Sequence, residues 1–207
     1  MKGLLIALAA TALVTGFSCL GCLPIHAAEG GVFVIDKDHT SVRFNYNHLG
    51  MSWQSGNFRD VIGRLAFDPE RPEQSELGVT IKVQSVMTGV PALDRILGST
   101  NDYLDAAAHP DITFTSTSVT VTGAKTASVV GDLTINGITK PVTLAVVWNF
   151  IGEHPLSNVN PIYQGVIAAG FSARAQILRS EWGISRGVPL ISDEIGITIE
   201  AELHRLN

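Results

Sequence analysis

Residues 129–148 read Val-Val-Gly-Asp-Leu-Thr-Ile-Asn-Gly-Ile-Thr-Lys-Pro-Val-Thr-Leu-Ala-Val-Val-Trp, and this stretch decides the fold. Two runs rich in β-branched residues flank Asn136-Gly137, a dipeptide that tolerates the positive φ angles of a two-residue hairpin turn. Before the turn, Leu133 and Ile135 share one face and polar residues take the other, which is the alternation of a half-buried antiparallel strand. The stretch therefore predicts a β-hairpin.

The direction in which Lys140 points depends on the type of turn. With a simple two-residue turn, Lys140 lies on the face of Leu133 and Ile135, in an otherwise apolar row. With a glycine bulge after the turn, the alternation slips by one residue and Lys140 faces water. Pro141 cannot donate to a β-ladder, so we expect it near a strand start or at an edge. The sequence does not decide between these two types of turn.

Short alternating runs recur along the rest of the chain, for example at residues 77–83 and 195–203. About eight such strands predict an all-β fold, either a sandwich or a closed antiparallel barrel. Pairing the long last strand with the first would remove an edge that is prone to aggregation, which is a physical motive for closure. One short helical segment near residues 92–108 is the exception, and His109-Pro110 ends it.

The first 28 residues predict a signal peptide, and residues 29–207 predict one domain of sandwich or barrel size. Lys2 precedes a short apolar run, and Ala27 and Ala28 suit a signal peptidase. The run is too short to span a bilayer comfortably, which argues against an uncleaved membrane anchor. Cleavage would remove Cys19 and Cys22, so we expect no disulfide in the mature domain. The alternative is a lipoprotein signal with acylation at Cys22.

The charge balance argues against one class of partner. The chain has 14 Lys+Arg against 19 Asp+Glu, a formal net charge of −5. A chain with this acidic balance is not expected to bind nucleic acid.

A series of short blocks, in their order and spacing, is similar to the YceI-like polyisoprenoid-binding family. The resemblance spans essentially all of residues 29–207 and rests on Asp38-His39-Thr40, Val42-Arg-Phe44, His48-Leu-Gly50, Ser52, Gly56-Asn-Phe58, Gly63-Arg-Leu-Ala-Phe-Asp68, Ser85, Thr88, Pro110-Asp-Ile-Thr-Phe-Thr-Ser116, Gly131-Asp-Leu-Thr-Ile-Asn-Gly-Ile-Thr-Lys-Pro-Val142 and Arg179-Ser-Glu-Trp-Gly-Ile184. It implies an eight-stranded antiparallel lipocalin-like barrel, secreted to the bacterial periplasm, whose apolar tunnel holds a long isoprenoid chain. No catalytic activity is established for the family in general.

One segment departs from the family pattern. Family members often carry Asp-x-His-Leu-Arg-Ser before an Asp-Phe pair, whereas this chain reads Asp94-Arg-Ile-Leu-Gly-Ser-Thr-Asn-Asp-Tyr103. The histidine and the following arginine are missing, and the segment is one residue longer. We therefore expect a tunnel mouth that is built differently, and the head-group preference, pyrophosphate or quinone, stays open.

The apolar faces of the predicted strands supply candidate lining for such a tunnel, although any single member is more often ordinary core. The candidate lipid-binding residues are Phe44, Tyr46, Phe58, Leu65, Phe67, Val79, Ile81, Val83, Leu104, Phe114, Leu133, Trp148, Phe171 and Trp182. Small residues in strand-like stretches either leave room for a ligand or permit the bends that close a barrel. These are Gly63, Gly165, Ala168, Ala169, Gly170, Ala173 and Gly196.

The candidate head-group residues are His48, Arg95 and Lys140. His48 follows Val42, Phe44 and Tyr46 on one strand face, although such a histidine is more often hydrogen-bonded structure. Arg95 and Lys140 could meet a phosphate, although solvation at the surface is the commoner role of such cations.

Two further patterns do not indicate chemistry. Gly183-Ile-Ser-Arg-Gly187 matches the hydrolase nucleophile elbow, but that motif has meaning only between a strand and a helix, so we interpret it as a chance match. His39, His109, His154 and His204 show no ligand spacing, so no metal site is indicated.

Three functional hypotheses follow. The first is a periplasmic carrier for an amphiphilic polyisoprenoid, of the prenyl pyrophosphate or isoprenoid quinone class, without covalent chemistry, catalytic residues or a cofactor. Membrane contact would be transient or made through an N-terminal anchor. The second is an enzyme acting on such a lipid or an ester, which would need a serine or histidine with a positioned base inside the tunnel. The third is a stress-response or structural barrel whose interior is packed solid.

Overall fold

The computed structural model describes residues 30–206, and almost every run that alternates in the sequence is a strand. The strands are β1 (Gly31–Ile35), β2 (Ser41–His48), β3 (Ser52–Phe58), β4 (Val61–Phe67), β5 (Glu76–Lys82), β6 (Val86–Met87), β7 (Asp111–Gly123), β8 (Thr126–Ile135), β9 (Ile138–Glu153), β10 (Ile167–Leu178) and β11 (Glu194–Arg205). One α-helix, α1, covers Pro91–Ser99. The predicted signal peptide, with Cys19 and Cys22, lies outside the described residues.

The hairpin of β8 and β9 has the simple two-residue turn. Asn136 and Gly137 have φ angles of +51° and +71°, and Ile135 pairs directly with Ile138. Both residues therefore adopt the left-handed conformation of the turn that matches strand twist. Lys140 pairs with Leu133, so it lies on the same face as that buried leucine.

The sheet is a closed antiparallel barrel of eight positions, as the family resemblance implies. From β7 to β11 each strand pairs with the next one in the sequence, and β11 closes the sheet by pairing with both β1 and β2. β1 and β2 pair with successive segments of β11. On their other side, β1 pairs with β4 and β2 pairs with β3. The short β6 pairs with β3 beyond the end of β5. Eleven strands thus occupy eight positions, and the last strand has no open edge.

The two ends of the barrel are built differently. The end that we call the terminal end holds the start of β1, the end of β11, residues 68–75 and the β7–β8 turn at residues 124–125. The opposite end, which we call the helix end, holds α1, the Asn136-Gly137 turn and residues 179–193 between β10 and β11.

The predicted helical segment is present but its helix is short. α1 ends at Ser99, and residues 101–104 and 106–108 form turns. The N–H of Leu104 donates to the carbonyl of Leu97 (3.1 Å), and the N–H of Ala106 donates to the carbonyl of Gly98 (2.8 Å). The chain thus folds back onto α1, because packing of apolar side chains at the helix end outweighs the helix propensity of the following alanines.

The core consists of two clusters of inward-facing side chains. A smaller cluster near the terminal end contains Phe33, Leu65, Phe67, Ala169 and Leu203. A larger one extends to the helix end, where Trp182 is only 1% exposed. Among residues 30–206, no helix is both long and apolar enough to cross a membrane.

A first prediction concerns Gly131 in β8, because the ring of Phe114 occupies the space that a side chain at this position would need. A Cβ atom on Gly131 would lie 2.3 Å from Cζ of Phe114 and 2.6 Å from the carbonyl oxygen of Thr115. We expect Gly131→Ala to lower the free energy of unfolding by about 1–3 kcal/mol, the usual cost of overpacking, as measured by urea unfolding.

The matched control is Gly78→Ala in β5, where a Cβ would have no atom within 4 Å. Its effect should stay within about 0.5 kcal/mol. Equal effects of the two substitutions would contradict the steric explanation.

Candidate functional site

The barrel encloses an apolar cavity of about 400 Å³ whose lining residues come from both ends of the barrel. Its wall is made of the inner faces of the long strands, for example Val42 and Phe44 of β2 with Ile197 and Ile199 of β11. Eight strands give an interior that side chains just fill or that admits one slender ligand. The volume is within the range of small-molecule sites in proteins. This barrel is therefore not packed solid.

Thirteen of the fourteen candidate lining residues contribute to the cavity wall. Val83 is the exception, because it lies in a 3-10 turn at residues 83–85, is 1% exposed and packs in the core behind the wall. Strand alternation brings eleven of the others together, since every second side chain points inward. Leu104 and Trp182 reach the wall from turns at the helix end. Whether these residues bind a lipid stays a prediction.

The seven small residues singled out in the sequence are not what creates the cavity. Of the seven, only Ala173 lines the cavity. A Cβ on Gly63 would lie 2.7 Å from the carbonyl oxygen of Gly78, and one on Gly196 would lie 2.8 Å from the side chain of Asn45. These two glycines allow close approach of neighbouring groups and do not line the cavity.

The three candidate head-group residues lie away from the cavity wall. His48 ends β2 and forms a bridge with Ile191 outside the regular strands. Arg95 is exposed on α1, and its carbonyl accepts from the Ser99 hydroxyl. Lys140 lies on the inward face beside Leu133 but does not contribute to the cavity wall.

Other polar groups line the cavity, and none of them is acidic. No carboxylate or histidine among the described residues contributes to its wall. Three cations do, namely Arg43, Lys125 and Arg179, and of these only Arg179 is buried. Tyr46 and Tyr103 line the helix end as well. In the sequence, Tyr103 ends the segment that departs from the family pattern and Arg179 begins a family block, but neither pattern indicated a polar role inside the barrel.

Backbone carbonyls hold Arg179, and it has no direct ion pair with any residue between 30 and 206. Its Nε donates to Ser192 (2.9 Å), Nη1 to Ile184 (2.9 Å), and Nη2 to Arg186 and Ile191 (3.0 Å each). Burial lowers the pKa of the guanidinium, while the nearby Asp193 and Tyr103 act in the opposite direction. The side chain thereby ties residues 184–192 to the end of β10.

Asp193 stabilises the 3-10 turn Arg179–Trp182. Its carboxylate accepts from the Ser180 hydroxyl (2.6 Å) and from the Ser180 N–H (2.8 Å). The hydrogen bond from the Ser180 hydroxyl is the main cause that lowers the pKa of Asp193. Trp182, at the end of the same turn, donates from Nε1 to the carbonyl of Leu133 at 3.2 Å. The turn is therefore anchored to β8 and to Asp193, the residue before β11.

Residues 30–206 form neither an activated serine nucleophile nor a metal site. Ser185, in the pattern that resembles a nucleophile elbow, is exposed, and its hydroxyl makes no hydrogen bond to any residue in 30–206. Within the same range, no three His, Cys, Asp or Glu side chains are grouped as a metal site would need. The polar groups at the cavity wall can bind and orient a ligand, but no nucleophile with a positioned base was found among them.

A closed eight-stranded antiparallel barrel around an apolar cavity defines the class of small ligand-binding β-barrels. A family model described as "YceI-like domain" matches residues 33–203. A "UPF0312 protein" of Azotobacter vinelandii is 37% identical over 193 residues, which cover 92% of this chain and 94% of the relative. The chain belongs to the YceI-like family.

Two solved structures are similar to the fold. The YceI protein of Campylobacter jejuni matches with a TM-score of 0.68 and 30% identity, covering 78% of this chain and 90% of that one. A polyisoprenoid-binding domain from Saccharophagus degradans matches with a TM-score of 0.62 and 12% identity, covering 86% of this chain and all of that one. The second likeness concerns the fold alone.

Proposed function

We propose that this chain is a periplasmic carrier that holds one amphiphilic polyisoprenoid, of the prenyl pyrophosphate or isoprenoid quinone class, inside the barrel without covalent chemistry. The observation that carries the proposal is the cavity of about 400 Å³ inside the barrel, whose wall is mostly apolar and contains no carboxylate among the described residues. The polyisoprenoid-binding domain with a similar fold supports the same class of ligand.

The hydrophobic effect would supply the affinity. Each buried CH₂ of a prenyl chain contributes roughly 0.8 kcal/mol, so several isoprene units in the cavity could bind tightly with few polar contacts. Branched aliphatic side chains such as Ile197, Ile199 and Leu144 line the wall and offer no hydrogen-bond partner. The length and width of the cavity would then determine which isoprenoid chain lengths can bind.

The other two hypotheses agree less well with the geometry. A barrel packed solid does not agree with the cavity. A hydrolase requires a nucleophile next to a base, and Ser185 has no such partner among the described residues. Binding without covalent chemistry is therefore the function that this geometry supports best.

The direct experiment is organic extraction of gently purified protein followed by mass spectrometry. We expect an isoprenoid lipid in the extract, and the emptied protein should take up a fluorescent prenyl analogue. Recovery of no lipid together with failure to take up the analogue would refute the carrier proposal.

A cavity-filling substitution tests the binding place. Ala173 in β10 lines the cavity, so Ala173→Phe should weaken binding of the prenyl analogue at least tenfold, because its ring would occupy part of the ligand's volume. The control is Ala145→Phe on the neighbouring β9, where the side chain is exposed. Thermal unfolding shows whether both variants fold, and equal affinities would place the ligand elsewhere.

The periplasmic location rests on the predicted signal peptide and can be tested separately. We expect the protein in a periplasmic fraction to have an intact mass that corresponds to cleavage near Ala27 or Ala28. A mass that corresponds to an acylated Cys22, and loss of membrane attachment in Cys22→Ser, would instead establish a lipoprotein.

A further inference from the structure

The helix end of the cavity contains three polar side chains from separate parts of the chain. Tyr46 comes from β2, Tyr103 from the turns after α1, and Arg179 from the turn after β10. Apolar residues such as Leu104 and Ile184 surround them in the cavity wall. We call these three side chains the polar seat.

Several hydrogen-bond donors of the polar seat are not used within residues 30–206. Neither the Tyr46 nor the Tyr103 hydroxyl has a hydrogen-bond partner among residues 30–206. Arg179 has five N–H donors and uses four of them on carbonyls, so one N–H on Nη1 is left. Burial raises the pKa of Tyr46, and Tyr103 adds to that rise, which agrees with two nearby phenols that are each partly buried. Such groups gain from an acceptor oxygen supplied by a ligand.

The charge of the polar seat limits the head group that it can accept. Arg179 is the one buried cation of the cavity wall in the described part of the chain, and most of its donors are already used. A pyrophosphate brings more than one negative charge, and burying charge without matching partners is costly. A carbonyl oxygen, or at most a single carboxylate, could instead be satisfied by two hydroxyls and one N–H.

The terminal end offers a different environment. Lys125 lies there in an exposed turn, with its ammonium 5.9 Å from the centre of the Trp148 ring. Nε1 of Trp148 is buried and has no hydrogen-bond partner in the described part of the chain. A multiply charged phosphate would fit this solvated end better than the polar seat. The alternative that the experiment must distinguish is therefore a head group at the terminal end.

We infer that the ligand lies with its head group in the polar seat of Tyr46, Tyr103 and Arg179, and with its chain extending toward the terminal end. The head group is an oxygen acceptor with at most one negative charge, such as the carbonyl of a ketone or quinone. This inference rests on the proposed function, since it assigns the orientation and head-group class of the same ligand.

The experiment compares four probes that share a geranylgeranyl chain and end in a ketone, a carboxylate, a pyrophosphate or a hydrocarbon. Each competes with the fluorescent prenyl analogue on the full chain. We expect the ketone to bind at least tenfold more tightly than the pyrophosphate or the hydrocarbon. The double variant Tyr46→Phe/Tyr103→Phe should weaken the ketone about tenfold and leave the hydrocarbon unchanged, because only two hydroxyl groups are removed.

Two control variants separate the alternatives. Tyr163→Phe removes a hydroxyl outside the cavity, where the ring stacks on His154, and should change no affinity. Lys125→Met should also leave ketone binding unchanged. If the pyrophosphate binds most tightly and Lys125→Met weakens it, the head group lies at the terminal end and the inference is overturned. Equal ketone binding by the wild type and the double variant overturns it too, whereas failure of all four probes refutes the proposed function itself.

Discussion

Replacing Trp182 with alanine is expected to lower the free energy of unfolding by about 3–5 kcal/mol, the usual cost of deleting a large buried aromatic side chain. Trp182 is 1% exposed, packs in the larger core cluster and donates from Nε1 to the carbonyl of Leu133. The substitution leaves a void at the helix end and removes one tie between residues 179–182 and β8. Urea unfolding followed by circular dichroism measures the effect.

The matched control is Trp53→Ala. Trp53 in β3 is 64% exposed, so its removal should change the stability by no more than about 0.5 kcal/mol. Trp182→Phe should fall between the two, because it keeps most of the apolar contact and loses the hydrogen bond. Similar losses for Trp182→Ala and Trp53→Ala would mean that the helix end is not tightly packed.

The second large effect is expected for Arg179→Met, which keeps much of the side-chain volume but removes every donor. Four backbone carbonyls would lose their partner, and a buried acceptor left unpaired costs about 1–3 kcal/mol. We expect the free energy of unfolding to fall by about 3 kcal/mol or more, since water can satisfy only part of this set. The same urea unfolding assay applies.

Arg179→Lys should recover less than half of that loss. A lysine ammonium is a compact group with three donors and cannot reproduce the planar fork of the guanidinium. Arg174→Met, at an exposed position on β10, is the control for the loss of a positive charge. A loss below about 1 kcal/mol for Arg179→Met would show that the carbonyls find other partners.

Much of the fold could be predicted from local patterns. The Asn136-Gly137 turn follows from the positive φ angles that these two residues tolerate, and the structure has that turn. The alternation of apolar residues located most strands and placed eleven of the fourteen candidate residues at the cavity wall. These signals are visible in a sequence because they depend on neighbours one, two or three positions apart.

The candidate site was harder to predict, because polar lining residues carry no periodic signal. Tyr103 and Arg179 are far apart in the sequence and approach each other only when α1 and residues 179–182 cover the helix end. His48, Arg95 and Lys140 had suitable chemistry but lie away from the cavity wall. The small residues were ambiguous, since a glycine that leaves room for a ligand and one that admits a neighbouring group look the same in a sequence.

The sequence by itself determined the strands, the hairpin and the apolar inner faces, because these follow from backbone preference and side-chain alternation within short segments. Only the tertiary structure decided that the sheet closes through β11 with β1 and β2, that Lys140 faces inward, and that a cavity remains between the walls. The physical reason is that closure and cavity depend on the distances between side chains on opposite strands. Those distances are set by the curvature of the whole barrel.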